Sequence, residues 1–125
     1  MSTRSNIGII GINGEIRQIY CHCDGYLAHN GKILIQHYNT TEKVESLLAL
    51  GDLSVLGETP EGCIAYHRDR GEAYAPPQVM QSDRQTYTAQ EEYAYLWDEA
   101  AGEWLWCDRH GHRSLRMLTS INTNG

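Results

Sequence analysis

Two separate regions of the chain each contain a pair of strand-like segments, and apolar and polar positions alternate in one of these segments, residues 15–21. Residues 6–12 and 15–21 are rich in β-forming side chains and are joined by Asn13-Gly14, a pair that favours a hairpin because both turn positions accept positive φ. In residues 15–21 alternate side chains point to opposite faces, so one face is expected in the core and the other partly exposed. Residues 93–97 and 103–107 flank residues 98–102 in the same way. The pattern therefore predicts two β-hairpins.

The spacing of apolar residues becomes helical between these hairpins. A first helix is predicted from Asn30, as its N-cap, to about Tyr38, and an earlier start would place Leu27, Leu34 and Tyr38 on one helical stripe. Residues 39–42 resemble a capping box with Asn39 in the cap position. A second, amphipathic helix is predicted from apolar side chains at i, i+3 and i+4, namely Val44, Leu47 and Leu48.

The remaining segments complete the predicted architecture. Residues 63–67 are expected to form a short strand and residues 68–72 a charged turn, and residues 114–121 fit either a strand or a helix. The whole predicts an α+β fold. An antiparallel sheet of about five or six strands carries two consecutive helices packed on one face, and these helices lie between strands two and three. Residues 1–125 are expected to form a single domain.

Composition narrows the classes of function. The net charge is −6, which argues against a partner that is a nucleic acid polymer, although a local cationic pocket can still bind one small anion. The chain has no long apolar run and no signal-peptide pattern, so we expect no membrane association and a cytoplasmic location. The four cysteines are expected to be thiols in such a compartment, and no cofactor is predicted.

The segment from Asp24 to Lys32 has two interpretations. In the functional one, Asp24, Tyr26, Asn30 and Lys32 form a small polar pocket in which free amides at a helix start face a phosphate and the tyrosine ring stacks. In the structural one, a turn is followed by a capped helix and Lys32 is solvated. The specific phosphate-binding glycine motifs are absent from the sequence.

Two other segments concentrate arginine. Arg68 and Arg70 flank an aspartate, and they fit either a solvated turn or a phosphate clamp. The densest cationic cluster lies at residues 108–113 and includes Arg109, His112 and Arg113. It follows Trp106, so phosphate ligands and an aromatic ring come together, although a core or interface role also fits the tryptophan.

Other chemistry is less supported by these residues. Cys21 and Cys23 share one face of a strand, but no second pair with ligand spacing completes a tetrahedral zinc site, so no metal is predicted. His110 and His112, with Asp108, offer acid-base chemistry on a phosphodiester, but nothing identifies a nucleophile. The enzyme hypothesis is therefore secondary to binding.

Four short motifs carry a resemblance. The chain reads IYCHCDGY at residues 19–26, followed by GK, HYNT and GDLS. These motifs resemble those of a family of small phage and prophage proteins whose signature is IYCHWDGY, with the same later turns. That family resembles in turn the phage anti-Thoeris sponges, which bind a glycocyclic ADP-ribose immune signal and hide it from its effector. The resemblance is densest over residues 6–57, and Cys23 stands where the signature has tryptophan.

The sponge resemblance implies a binding protein without catalysis. It implies a homo-oligomer, a dimer or a hexamer, with sites at or near subunit contacts. The implied ligand is a cyclic ADP-ribose isomer held by arginines on its phosphates and aromatic rings around adenine. Some members also bind cyclic dinucleotides or trinucleotides at a separate site. The implied location is the cytoplasm of the infected bacterial host.

Charge, aromatic content and this resemblance together give one leading hypothesis. Arg109 and Arg113 are expected to be phosphate ligands, Arg68 or Arg70 a second clamp, and Tyr26 or a tryptophan the stacking surface. Two alternatives stay open. One is a phosphodiesterase that uses the two histidines of the cationic segment, and the other is a protein-binding inhibitor of a host defence factor that acts through exposed tyrosines and tryptophans.

Overall fold

The first hairpin is present and opens the fold. The structure, a computed structural model, describes residues 2–124. Strands β1 (Ser5–Ile10) and β2 (Glu15–Cys21) pair antiparallel, as the sequence predicted. Only Gly14 of the turn has a positive φ, +83°, whereas Asn13 uses its side-chain oxygen to accept from the amide of Glu15 at 3.0 Å. The turn is thus closed by a side chain rather than by two left-handed residues.

The first helix has the earlier of the two starts considered for it. A π-helical turn, Leu27–Gly31, leads directly into α1 (Lys32–His37). Asn30 therefore lies inside helical backbone, and the prediction that it caps the helix is wrong. The physical reason is tertiary: its side chain is fully buried and bonds to the sheet instead of to the next helical turn.

The second helix, α2 (Thr41–Leu48), confirms the amphipathic prediction. Val44, Leu47 and Leu48 are buried. The cap is Thr40, whose side-chain oxygen accepts from the amide of Lys43 at 3.2 Å, and the predicted cap lies one residue too early.

The middle of the chain is a series of short elements. They are β3 (Leu53–Val55), a 3₁₀ turn (Pro60–Gly62), β4 (Ile64–Ala65), α3 (Tyr66–Arg70) and β5 (Gln78–Gln81). The strand predicted for residues 63–67 is thus shorter, and the expected charged turn is largely a helix. The start of α3 is fixed by Asp69, whose carboxylate accepts a hydrogen bond from the amide of Ala65, the last residue of β4, at 2.7 Å.

The second predicted hairpin is also present. It consists of β6 (Tyr93–Asp98) and β7 (Glu103–Asp108), which pair antiparallel. The chain ends with β8 (Arg116–Met117) and α4 (Ser120–Thr123), so the segment left open between strand and helix contains both.

The strands form one mixed sheet of eight strands. Seven follow the order β4-β3-β2-β1-β6-β7-β8, and β5 pairs with β2 beside this path. The pairs β1–β6 and β2–β3 are parallel, which corrects the expectation of a purely antiparallel sheet of five or six strands. The α+β class holds, and α1 and α2 lie between the second and third strands as predicted. The β1–β6 pair is parallel because the two hairpins join through their first strands.

Both faces of the sheet are covered. The helices pack on a core that contains the three tryptophans. On the opposite face, Tyr87 lies on Leu96 and Ile16, and its hydroxyl donates to Gln18 Oε1 at 2.6 Å. The expectation that one face of β2 stays partly exposed holds only at Tyr20, which is half-buried, because Tyr87 covers Ile16 and bonds to Gln18 on the same face. This leaves the ends and edges of the sheet for chemistry.

Candidate functional site

Several predicted residues gather at one end of the sheet. The register places Cys21, Ser5, Tyr93 and Asp108 in one row across β2, β1, β6 and β7. The segment after β2 and the cationic loop after β7 therefore leave the sheet at the same end. We call residues 109–113 the cationic loop.

Asp108 organises the cationic loop. Its Oδ1 accepts from the amides of His110 at 3.0 Å and His112 at 2.8 Å, and its own amide donates to the His112 carbonyl at 2.7 Å. The amide of Arg109 donates to Glu92 at 3.1 Å. The loop is thus held by its backbone, and its cationic side chains are left exposed.

Arg109 and Arg113 line one shallow cavity of about 190 Å³, together with Thr88, Ala89 and Asp108. The Arg109 guanidinium donates to the carbonyl of Gln90, which holds it in place. Across residues 2–124, neither arginine forms an ion pair with a carboxylate. Their remaining N–H groups are available for an anion.

Trp106 lies on the other face of the sheet from this cavity. It belongs to the core under the helices, whereas Ala89 beside the arginines packs on the opposite face. The indole is only 2 % exposed, with the His112 ring 5.2 Å away and the Arg116 guanidinium 5.9 Å away. A ring covered in this way has no free face on which a base could stack.

The segment from Asp24 to Lys32 agrees in part with the structural interpretation, in which a turn leads into a helix and no ligand is bound. Asn30 donates to the Cys23 carbonyl at 3.3 Å and to Ser5 Oγ at 3.4 Å. The amides near the start of α1 are taken, since that of Asn30 bonds to Asp24 and that of Lys32 bonds within the π-helical turn. The amides of residues 30–32, where the helix was expected to start, are therefore not free to face a phosphate.

Two side chains of that segment remain free to meet a ligand. Tyr26 is 41 % exposed, with its ring 6.0 Å from that of His29, and Lys32 is exposed. Asp24 takes a φ of +56°, which turns the chain out of the sheet. The exposed ring of Tyr26 is the part of the predicted pocket that the structure leaves available.

Aromatic rings connect this segment to the cationic loop. The Tyr95 hydroxyl donates to the Gly25 carbonyl at 2.6 Å. Its ring stacks parallel to that of Tyr93 at 6.4 Å, and Tyr93 is in turn 6.4 Å from Trp106. Sequence reasoning did not single out Tyr93 or Tyr95. Their period-two alternation in the hairpin was visible, but the partners of the two rings depend on the parallel pairing with β1.

Arg68 and Arg70 lie far from the cationic loop. They belong to α3, which follows β4 at one edge of the sheet, and four strands separate β4 from β7. At roughly 4.8 Å per strand, this is about 24 Å. The predicted second clamp therefore cannot hold the same small ligand within one protomer.

Arg68 is also fully engaged in holding its own loop. Its guanidinium pairs in a fork with Asp69, at 3.0 and 2.9 Å, and donates to the carbonyls of Pro60 and Cys63. The Arg68 guanidinium holds the pKa of the Asp69 carboxyl below its usual range. Arg70 instead rests over the Tyr66 ring, 5.3 Å from its centroid.

The structure also contains polar residues that the sequence analysis did not select. Tyr20, His22 and Asp52 line a cavity of about 370 Å³ at the edge of β2. No local motif marks them, because β5 and β3 must first diverge along β2 to open the cavity. Within residues 2–124, no three His, Cys, Asp or Glu side chains are placed to hold a metal ion.

The four cysteines are free thiols, as predicted. Burial raises the pKa of Cys21 and Cys107 to about 12, so these two thiols stay protonated near neutral pH. In the described part of the chain, no helix has the length and apolar character needed to cross a membrane.

No protein-family model, curated protein or solved structure matches this chain.

Proposed function

We propose that this protein is a non-enzymatic binding protein that sequesters a cyclic nucleotide signal, with glycocyclic ADP-ribose as the first candidate and cyclic di- or trinucleotides as further ones. The single observation that carries the proposal is the shared cavity of Arg109 and Arg113 in a chain of net charge −6. A guanidinium group without a carboxylate partner can bind phosphate oxygens through paired N–H groups, and this cavity has two such groups.

The size of the cavity limits how much of a ligand this site can enclose within one protomer. At about 190 Å³ it is smaller than the 300–1,000 Å³ usual for sites that enclose a whole small molecule. It suits a phosphate group with the rest of the ligand outside. The exposed Tyr26 ring, or a second copy of the chain, would then cover the base and ribose, in line with a dimeric or hexameric sponge in the infected host cytoplasm.

The geometry supports an enzyme less well. Asp108, the carboxylate expected to orient a histidine, uses the same oxygen for two main-chain amides. The His112 ring packs edge-on against Trp106 instead of facing His110 across a cavity. Binding needs neither a nucleophile nor a positioned base, and therefore it fits these contacts better.

The geometry also supports a protein-binding inhibitor less well. The expected contact surface included tryptophans, and Trp97, Trp104 and Trp106 are at most 5 % exposed. Two of the indoles donate to internal acceptors, Thr41 and Tyr38. The aromatic groups that favour protein interfaces are thus mostly part of the core.

The test is to incubate the purified protein with glycocyclic ADP-ribose, filter it, denature the retained protein by heat and analyse both fractions by mass spectrometry. We expect the signal to leave the filtrate and to return intact on heating. Altered products would establish catalysis, and a signal left free would exclude this ligand and direct the same assay to cyclic oligonucleotides.

The Arg113→Ala variant tests the site itself. Loss of one charge-assisted contact, about 1.5–3 kcal/mol, should weaken binding by roughly 10- to 150-fold. Arg70→Ala is the matched control, because it removes one exposed arginine of α3, at the opposite edge of the sheet, where its guanidinium rests over the Tyr66 ring. Equal affinity of the two variants, with unchanged melting temperatures, would remove Arg113 from the site.

A further inference from the structure

The outer edge of β2 forks between two strands. Over Glu15–Gln18 the edge pairs with β5, and at Cys21 it pairs with β3. These two neighbours diverge around Tyr20, so the main-chain amide of that residue has no strand partner. Asp52 fills the gap, since its Oδ1 accepts from this amide at 3.0 Å.

The cavity of about 370 Å³ opens at this fork. Its floor is formed by Tyr20, His22 and Asp52. Its wall is formed by Tyr66 and His67 of α3 and by the segment that follows this helix, namely Glu72, Ala73 and Ala75. No lysine or arginine of the described chain lines the cavity, in contrast to the cavity beside the cationic loop.

The polar atoms around the cavity are mainly acceptors. The Nδ1 atom of His67 lies 2.8 Å from the Glu72 carbonyl, which can only accept, so Nδ1 carries the hydrogen and Nε2 of the neutral ring is an acceptor. Only one oxygen of the Asp52 carboxylate has a partner. Among residues 2–124, the Glu72 carboxylate forms no ion pair.

Two aromatic residues add faces that attract cations. Tyr20 and Tyr66 both line the cavity, and the Tyr20 hydroxyl is fixed by a contact of 2.8 Å with His22 Nδ1. The Tyr66 ring already supports one cation, the Arg70 guanidinium, which is not part of the cavity lining. Aromatic faces combined with carboxylates are the arrangement that recognises organic ammonium groups.

From this arrangement we propose that the fork cavity is a second binding site, independent of Arg109 and Arg113, and that its ligand is a small organic ammonium cation. The carboxylates of Asp52 and Glu72 supply the charge complement, and the rings of Tyr20 and Tyr66 contact the alkyl groups of the cation. The volume lies within the range usual for sites that enclose a small molecule, and the acceptor-rich lining, without lysine or arginine among the described residues, disfavours a ligand with phosphates.

The test uses choline as the probe on the full chain, with amide chemical shifts followed by NMR. We expect saturable shifts at residues 20–22 and 66–75. The neutral isostere 3,3-dimethylbutan-1-ol should bind at least about fivefold more weakly, because it lacks the charge that the rings and carboxylates recognise. Equal affinity for the two compounds, or no saturation with choline up to about 10 mM, would overturn the proposal.

Two matched variants localise the effect. Glu72→Gln removes an exposed charge from the cavity wall and should weaken choline binding at least threefold, whereas Glu61→Gln, in the loop before β4, should leave it unchanged. Tyr66→Leu should weaken choline binding more than binding of the isostere. Equal effects of the two glutamate variants would mean that the probe senses only the net charge of the protein, and the proposal would then fail.

Discussion

The Tyr95 hydroxyl joins the segment just before the π-helical turn to the centre of the sheet, and its removal tests the fold around the candidate site. Tyr95 is fully buried, and its hydroxyl donates to the Gly25 carbonyl at 2.6 Å. Tyr95→Phe deletes one oxygen and leaves the ring in place. No large cavity forms, so the change isolates the hydrogen bond.

The expected magnitude follows from what remains after the deletion. The Gly25 carbonyl is left without this donor in a buried position, and an unsatisfied buried acceptor costs about 1–3 kcal/mol. For a chain of this length we take a sensitivity of roughly 3–6 °C per kcal/mol, so the melting temperature should fall by roughly 3–18 °C.

Urea unfolding followed by circular dichroism measures the change in free energy of unfolding. Tyr26→Phe is the matched control, because it removes a tyrosine hydroxyl from the same segment at a side chain that is 41 % exposed; it should change stability by less than about 0.5 kcal/mol. If Tyr95→Phe costs no more than this control, the Gly25 carbonyl must reach water, and the π-helical turn would not be sealed against β6 as the structure places it.

Three further predictions test other parts of the molecule. Burial raises the pKa of Cys21 and Cys107 from 9.0 to about 12, so between these pH values the folded state keeps protons that the unfolded state loses. The free energy of unfolding should therefore fall as pH rises from about 9 towards 12, by up to about 1.4 kcal/mol per pH unit for each thiol. A melting temperature that does not change with pH over this range would contradict this burial. Gly51→Ala should destabilise by more than about 1 kcal/mol in urea unfolding, since φ is +75° and the added Cβ would lie 2.6 Å from the Ala75 carbonyl; an unchanged midpoint would show that the turn can relax. Asp108→Ala should weaken nucleotide binding in the filtration assay because the cationic loop loses both amide contacts, and unchanged affinity would mean that the loop orders without them.

Local pattern was sufficient for much of the fold. The two hairpins and the amphipathic helix α2 follow from alternation, turn residues and i, i+3, i+4 spacing, and all three are present. These features depend on neighbours in sequence. Local pattern did not fix the exact end of a helix. The cap of α2 is Thr40 and not Asn39, because both residue types cap helices well and only the extended backbone at Thr40 decides between them.

For the candidate site, the sequence predicted which residue types are present but not which of them are free to bind a ligand. The arginines and histidine of the cationic loop were visible in the sequence, but whether an arginine is free or engaged depends on distant partners. Arg68 donates to a carboxylate and to two carbonyls, whereas Arg113 has no carboxylate partner in the described chain. The burial of Trp106 also depends on residues distant in sequence, since it results from helices packed across the sheet.

The sequence by itself determined the hairpins, the order of the helices and the acidic balance of this protein, because these depend on residues a few positions apart or on simple sums. The tertiary structure alone decided that β1 and β6 pair in parallel, that β2 forks at Tyr20 and that Arg68 and Arg109 lie at separate places on the sheet. Pairing between strands distant in sequence depends on the burial of both faces of the sheet at once, and no short window of the chain carries that information.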